Sequence, residues 1–314
     1  MPNTRKLMCV DQSELLPRRE NIAAVMVTYH PEGDLVGRVQ RVLPQVQLVV
    51  VVDNSASRTI AALLGELEAI GVGCVRNPHN FGLGAALNQG IQRAAEMGFP
   101  FVLTLDQDTV VDEDMVATLI HVWSAYPCPQ TLAVLGSNSR SPTSGRVASR
   151  RRPTSQPFTE EKVVITSGSL ISIPVYREIG PMRSDFFIDG IDLEYCLRAR
   201  AYGFKILRTR QALMTHNLDR TVERRFLWRM VLVEHHEPWR HYHTGRNLLC
   251  IFRLYFWREP AFVFSASFYF AKTLVKTALF EKQRLRKLIS IVSGIKDGFL
   301  FPLGAPQEPR RARD

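Results

Sequence analysis

Short apolar runs recur along this chain from Ile22 onward, and helical patterns fill the spaces between them. Residues 23–29, 47–52, 73–77 and 101–105 read as strands, the second nearly all β-branched. The first, second and fourth do not alternate apolar with polar, which is how strands read when both faces of their sheet are covered. Residues 34–43, 59–70 and 84–97 are the intervening helices. This alternation predicts an α/β fold, a mostly parallel Rossmann-like sheet with helices on both faces. Ligands of such sheets bind beyond the carboxyl ends of the strands. There the chain places Thr28-Tyr29, Asp53-Asn54-Ser55, Asn77 to Asn80 and Asp106-Gln107-Asp108.

The pattern breaks at 137–162, rich in Ser, Arg, Pro and Thr, which reads as a long mobile loop. Regular structure resumes at 163–173 as a strand-pair element. Residues 186–200 start apolar and become a helix, and 205–207 and 212–214 are short strands with His216 just beyond. Residues 249–280 hold strong apolar stretches interrupted by Arg253, Arg258, Glu259, Lys272 and Lys276. The uncharged run 260–271 is too short to span a bilayer as a helix. Two readings of this region stay open: a helix pair packed on the sheet, or an amphipathic helix lying in a membrane interface.

Charge sharpens the second reading. Residues 1–219 carry 22 Lys+Arg and 22 Asp+Glu, whereas 220–314 carry 18 and 8, so the whole net charge of +10 sits in the tail. A basic, aromatic tail on a neutral body attracts a polyanion, either anionic lipid or nucleic acid. The neutral sheet region, with no basic patch interleaved with strand aromatics, speaks against a nucleic-acid module. The five cysteines are scattered with no C-x-x-C pair, which argues against a disulfide framework or zinc site and fits a reducing compartment. Residues 1–20 have no apolar core and do not read as a signal peptide.

Asp106-Gln107-Asp108 ends an apolar strand in two carboxylates one residue apart. Side chains at i and i+2 of an extended backbone share a face, so both can converge on one hard cation with positions left for phosphate oxygens. A solvated strand-to-turn junction is the alternative. Asn80-Phe81-Gly82-Leu83-Gly84 leads from a strand into a helix, where small residues either let backbone N–H groups approach an anion or only allow close helix packing. The segment departs from a dinucleotide fingerprint: the third glycine is missing, it follows the third strand rather than the first, and no acidic residue closes the unit.

Taken together these motifs resemble the family 2 glycosyltransferases with a GT-A fold, and within them the bacterial rhamnosyltransferases. The resemblance rests on Val27-Thr28-Tyr29-His30-Pro31, Val52-Asp53-Asn54-Ser55, Asn80-x-Gly82-x-Gly84-x-Ala86-x-Asn88, Asp106-Gln107-Asp108, Ser167-Gly168-Ser169 and Phe186 through Glu194 into Arg198. Arg246-Asn247 resembles a segment that follows the catalytic domain in these enzymes. The resemblance implies a catalytic domain over 1–219 and a helical extension over 220–314 that is a candidate for membrane association. It implies that Thr28, Tyr29, Asp53, Asn80, Gly82, Asp106 and Gln107 bind the nucleotide sugar, with Asp53 accepting the N3–H of uracil or thymine. A divalent cation, Mg²⁺ or Mn²⁺, falls to Asp108, Asp106 and His216. Asp192 becomes the base of an inverting transfer, although Ile191 stands where the family has another acid. Asp189 and Glu194 are weaker candidates, Gly168, Ser169, Asp189 and Glu194 lie on the acceptor side, and Glu194 pairs with Arg198 one turn on. A solvated helix start is the competing account of these acids. The implied donor is dTDP-L-rhamnose, or another nucleotide sugar such as a galactofuranosyl or UDP-sugar donor. The implied acceptor is a lipid-linked saccharide at the cytoplasmic face of a bacterial membrane.

Overall fold

The computed structural model describes residues 16–142, 145, 147–148, 156–216, 221–226, 229–234 and 236–304, with backbone alone considered over 221–234. The stretch 1–15 and most of 143–155, which hold parts of the leader and loop readings, lie outside the described residues. In chain order the elements are β1 (Ile22–Thr28), α1 (Leu35–Val42), β2 (Leu48–Asp53), α2 (Ala61–Ala69), β3 (Gly73–Arg76), α3 (Leu83–Glu96), β4 (Phe101–Asp106), β5 (Val110–Val111) and α4 (Met115–Ser124). There follow β6 (Leu132–Arg140), β7 (Phe158–Glu160), β8 (Ser169–Ser172), α5 (Ile173–Ile179), α6 (Ile191–Ala201), β9 (Lys205–Thr215), β10 (Thr221–Phe226), β11 (Arg229–Glu234), α7 (Pro238–Tyr255), α8 (Pro260–Phe280) and α9 (Arg284–Leu300).

One nine-stranded sheet runs β3-β2-β1-β4-β8-β6-β9-β5, with β7 on β9. β3, β2, β1 and β4 are parallel, and β8 runs antiparallel between β4 and β6. The chain leaves β1 toward β2 and later returns to place β4 on the other side of β1, so β1 and β4 flank a topological switch point. Register brings the carboxyl ends level: Thr28 lies beside Asp53, and Val27 beside Asp106.

Alternating side chains of β1 split between two cores. Ala23, Val25 and Val27 join α3, α5, α6 and α7, while Ile22, Ala24 and Met26 join α1, α2 and α4. Both faces are therefore covered, as the non-alternating runs required. The sheet is wider than the sequence pattern indicated. Residues 137–140, read as loop, finish β6, and Phe158–Glu160 is a strand on β9. The two short strands near 206 and 213 are one strand, β9, paired with β6 through register shifts. Only 169–172 of the expected 163–173 element is strand. Serine and asparagine carry 137–139 because this strand lies beside hydroxyl-rich neighbours that satisfy polar groups, as where Asn138 N–H donates to Thr209 Oγ1 at 2.9 Å.

The C-terminal helices dock on this body through α7, whose Cys250, Ile251 and Tyr255 enter the α6 core. α9 crosses α7 at glycines: a Cβ on Gly294 would sit 2.1 Å from the Tyr242 carbonyl oxygen, so only glycine permits this approach. α8 is different. Of its 21 residues only Val263 and Thr277 are buried. Among the described residues no helix is long and apolar enough to cross a membrane.

Candidate active site

At the end of β4 the chain turns, and the second acid of Asp106-Gln107-Asp108 meets a histidine delivered by the end of β9. His216 Nε2 lies 3.6 Å from Asp106 Oδ2 and Nδ1 lies 3.5 Å from Asp108 Oδ1. One ligand atom from each of Asp106, Asp108 and His216 falls within 4.8 Å of the others. Burial pushes the Asp106 carboxyl above its usual range. His216 and Arg240 oppose this and Asp108 adds to it. Clustered carboxylates that resist ionisation are what a cation relieves. Two carboxylates and one imidazole would occupy half of an octahedral shell, leaving room for phosphate oxygens and water, so the residues present fit a Mg²⁺ or Mn²⁺ ion.

A hydroxyl relay holds this group from behind. The Asp106 N–H donates to Ser167 Oγ at 3.0 Å, Ser167 Oγ and Thr109 Oγ1 share a 2.6 Å hydrogen bond, and Thr109 Oγ1 lies 2.9 Å from His216 Nδ1. Thr109 went unnoticed in the sequence, because a threonine after an Asp-x-Asp signals nothing until β9 brings His216 beside it.

The nucleotide-side residues divide into contacts and supports. Asp53 is buried and its Oδ1 accepts from Thr28 Oγ1 at 2.8 Å and Ser55 Oγ at 2.6 Å, while Oδ2 accepts from the Ser55 N–H at 3.1 Å. Oδ2 keeps a lone pair for an N–H donor. Thr28 is thereby spent on Asp53, and Gln107 is spent on Tyr29, whose N–H it accepts at 2.7 Å and whose carbonyl it bonds at 3.2 Å. That amide clamp closes the switch point and leaves the Tyr29 ring exposed.

The glycine segment makes close contacts within the fold. The Gly82 N–H donates to Asn80 Oδ1 at 2.8 Å and the Leu83 N–H to the Phe187 carbonyl at 2.6 Å, so both amides have partners within the protein. Gly82 has φ +86°, and a Cβ there would lie 2.7 Å from Phe187 Cα. Close packing of α3 against the 183–187 segment is the physical role. Gly168 and Ser169 are likewise structural. Gly168, at φ +74°, packs on Met214, and Ser169 is buried in β8 with its hydroxyl on the Ile165 carbonyl. Glu194 is only 2% exposed; it pairs with Arg198 at 2.9 Å and accepts from the Tyr255 hydroxyl at 3.0 Å. The Glu194–Arg198 pair was legible from spacing, and the carboxylate is buried in the core.

Asp192 stands apart from these. It lies half-buried in the first turn of α6, accepting the Leu193 N–H at 2.9 Å. Burial, with a contribution from Asp189 and Asp106, raises its carboxyl to about 6. A carboxylate so poised can take a proton near neutral pH. Asp189 is held by Arg240 at 2.8 Å and by the Thr244 hydroxyl at 2.9 Å. The loop before Asp192 is pinned from α7: Asn247 Nδ2 donates to the carbonyls of Phe186, Ile188 and Asp189, each at 2.8 Å, and Arg246 donates to that of Asp185 at 2.7 Å. Phe187 and Asp189 both adopt positive φ here, a costly backbone that these bonds maintain.

A switch-point crevice, an acidic pair with histidine at its mouth, and a raised carboxyl at a helix start define a GT-A-like architecture. The glycosyl transferase family 2 model matches residues 23–179. The chain belongs to that family. It is similar to the dTDP-rhamnosyl transferase RfbF of Shigella flexneri, 28% identical over 247 residues, which cover 74% of this chain and 80% of that protein. In three dimensions it resembles TarS of S. aureus with a TM-score of 0.53 at 13% identity, over 89% of this chain and 49% of TarS. The chain thus spans about half the length of that structure. A shorter form of TarS, residues 1–349, has been solved in complex with UDP-GlcNAc; it aligns at 13% identity and a TM-score of 0.45, over 90% of this chain and 73% of that form.

Proposed function

We propose that this glycosyl transferase is an inverting, metal-dependent rhamnosyltransferase that moves L-rhamnose from dTDP-L-rhamnose to a hydroxyl of a lipid-linked saccharide in bacterial O-antigen or envelope polysaccharide synthesis. The observation that carries the transfer chemistry is the Asp106, Asp108 and His216 group beside a carboxyl at Asp192 raised to about 6. The rhamnosyl donor rests on the similarity to the Shigella flexneri enzyme. Asp53 accepts the base N3–H, and the Tyr29 ring offers a stacking face. A bound divalent cation would neutralise charge on the departing diphosphate. Asp192 takes the proton of the acceptor hydroxyl as its oxygen bonds to the sugar anomeric carbon. The bond from that carbon to the diphosphate breaks on the opposite face, and dTDP leaves with the electron pair.

The protein works, in this reading, at the inner surface of the cell membrane. Trp257 is 89% and Leu300 82% exposed, and Phe264, Phe268, Leu285, Ile289 and Val292 are also exposed. They are interspersed with Lys272, Lys282, Arg284 and Arg286, the composition of an interfacial helix facing anionic lipid. A competing reading keeps the transferase but changes the donor, because Asp53 and the metal group address nucleotide and diphosphate rather than sugar. The test is a thermal-shift and nucleotide-release comparison of dTDP-L-rhamnose, UDP-galactofuranose and UDP-GlcNAc with Mn²⁺, Mg²⁺ or chelator. Metal-dependent stabilisation and turnover with dTDP-L-rhamnose are expected, and Asp108→Asn should abolish the metal dependence. Preference for a UDP-sugar would overturn the rhamnosyl assignment, and full activity of Asp108→Asn would overturn the metal role.

A further inference from the structure

A cavity of about 260 Å³ lies between the start of α6, α7 and α8. Its inner wall includes Asp189, Gly190 and Leu193, the residues on either side of Asp192. Arg240 also lines it, bonded to Asp189. The cavity therefore borders the loop and the helix start that carry Asp192. Its outer wall is one face of α8, where Ala266, Phe270, Thr273 and Lys276 recur at helical spacing.

Two properties of this wall specify a ligand. Lys276 is half-buried there, and among the described residues no carboxylate lies within ion-pair distance of it. The other lining acids are already committed, Asp189 to Arg240 and Glu281 to Lys287 and His241. A half-buried lysine with no counter-charge among the described residues favours an anionic guest. Leu193, Leu248, Ile251 and Phe270 add apolar surface to a lining that also holds His236, His241, Thr244 and Asn247. On the outer side of the same helix Phe264, Phe268, Val275 and Leu279 are exposed. A helix with only two buried residues in 21 is thus apolar both toward the cavity and away from it.

We propose that this cavity is the acceptor seat, taking the phosphate-bearing head of a long-chain lipid acceptor while its hydrocarbon chain lies along the exposed row of α8. The inference rests on the transferase reading and gives its lipid-linked acceptor a binding site. The volume agrees: it falls just under the roughly 300 Å³ floor for pockets that enclose a whole drug-sized ligand, so it holds a head group and leaves a long chain outside. Lys276 supplies the counter-charge, and Asp189 and Gly190 bring the first sugar toward Asp192.

Farnesyl diphosphate is the probe, with binding followed by tryptophan fluorescence against full-length protein. Lys276→Glu should weaken it at least tenfold, and Ala266→Trp, which fills the cavity without changing charge, should do the same. Lys296→Glu makes the same charge change at an exposed position on α9 and should bind like the wild type. Equal weakening by Lys276→Glu and Lys296→Glu would mean general electrostatic attraction and overturns the proposal, as would inorganic diphosphate binding as tightly as the probe. Unchanged melting of the Ala266→Trp variant with lost probe binding keeps the result separate from misfolding. A parallel titration with dTDP and Mn²⁺ separates the two readings. Nucleotide binding without selective probe binding overturns the acceptor seat alone. Selective probe binding without nucleotide binding supports the lipid-diphosphate site and overturns the transferase reading.

Discussion

Replacing Asp192 by asparagine separates catalysis from structure, because the two roles predict opposite changes in stability. The side chain keeps its shape, and its oxygen can still accept the Leu193 N–H. Burial raises the wild-type carboxyl from 3.8 to about 6. Between those values the folded state holds a proton that the unfolded chain has lost, so stability falls as pH rises through the window. Above about pH 6 the full cost is present, on the order of 3 kcal/mol at about 1.4 kcal/mol per pH unit. Asparagine carries no such cost. The variant should therefore melt several degrees higher than wild type at pH 7.5, with the difference vanishing near pH 4. Turnover should fall by roughly 10²–10⁴-fold, the range for loss of a general base. Wild-type kcat/KM should decline below about pH 6 as Asp192 gains its proton, and the variant should lose that limb. The assays are nucleotide release in the presence of acceptor and thermal melting across pH. A variant that keeps its rate within about threefold, or that melts lower than wild type at pH 7.5, refutes the assignment.

Thr109→Val removes the hydroxyl that orients His216 while keeping its volume, and should raise the metal concentration for half-maximal activity by about 10- to 100-fold, the range for loss of a partner behind a metal ligand; an unchanged Mn²⁺ titration would show the relay to be idle. Glu281 joins α8 and α9 to α7. Burial pushes its carboxyl up, but hydrogen bonds from His241, Lys287 and Thr277 prevail and bring it to about 2. Its contribution is present above about 4.5 and is lost as pH falls toward 2. Glu281→Gln leaves the Lys287 ammonium buried without its partner and should cost about 3–5 kcal/mol at pH 7, read by denaturant unfolding; a loss under 1 kcal/mol would mean that the cluster is solvated.

The alternation of strand and helix, and the polar residues at strand ends, were legible because both depend on local periodicity and on chain order. The apolar runs over 23–29, 47–52 and 101–105 read as covered strands, and the two acids after Leu105 stood out as a candidate metal pair. Spacing also exposed the Glu194–Arg198 pair, since i and i+4 meet on any helix. Which polar residues reach the crevice was not decided at that level. Thr28, Gln107, Gly82 and Ser169 sit in the motifs beside Asp53, Asp108 and Asp192. Only the folded chain shows that the first four spend their hydrogen bonds or their space on neighbours. β6 and β7 were hidden because polar strands satisfied by partner strands look like loops until those partners are known. The approach of His216 to Asp106 across 110 residues, the Asn247 bonds that hold the 186–189 turn, and the cavity beside Asp189 all arise from pairing of distant segments. Local sequence sets which elements form and where chemistry is available. Long-range packing decides which of those groups stay free to act, because each buried polar atom must first find a partner.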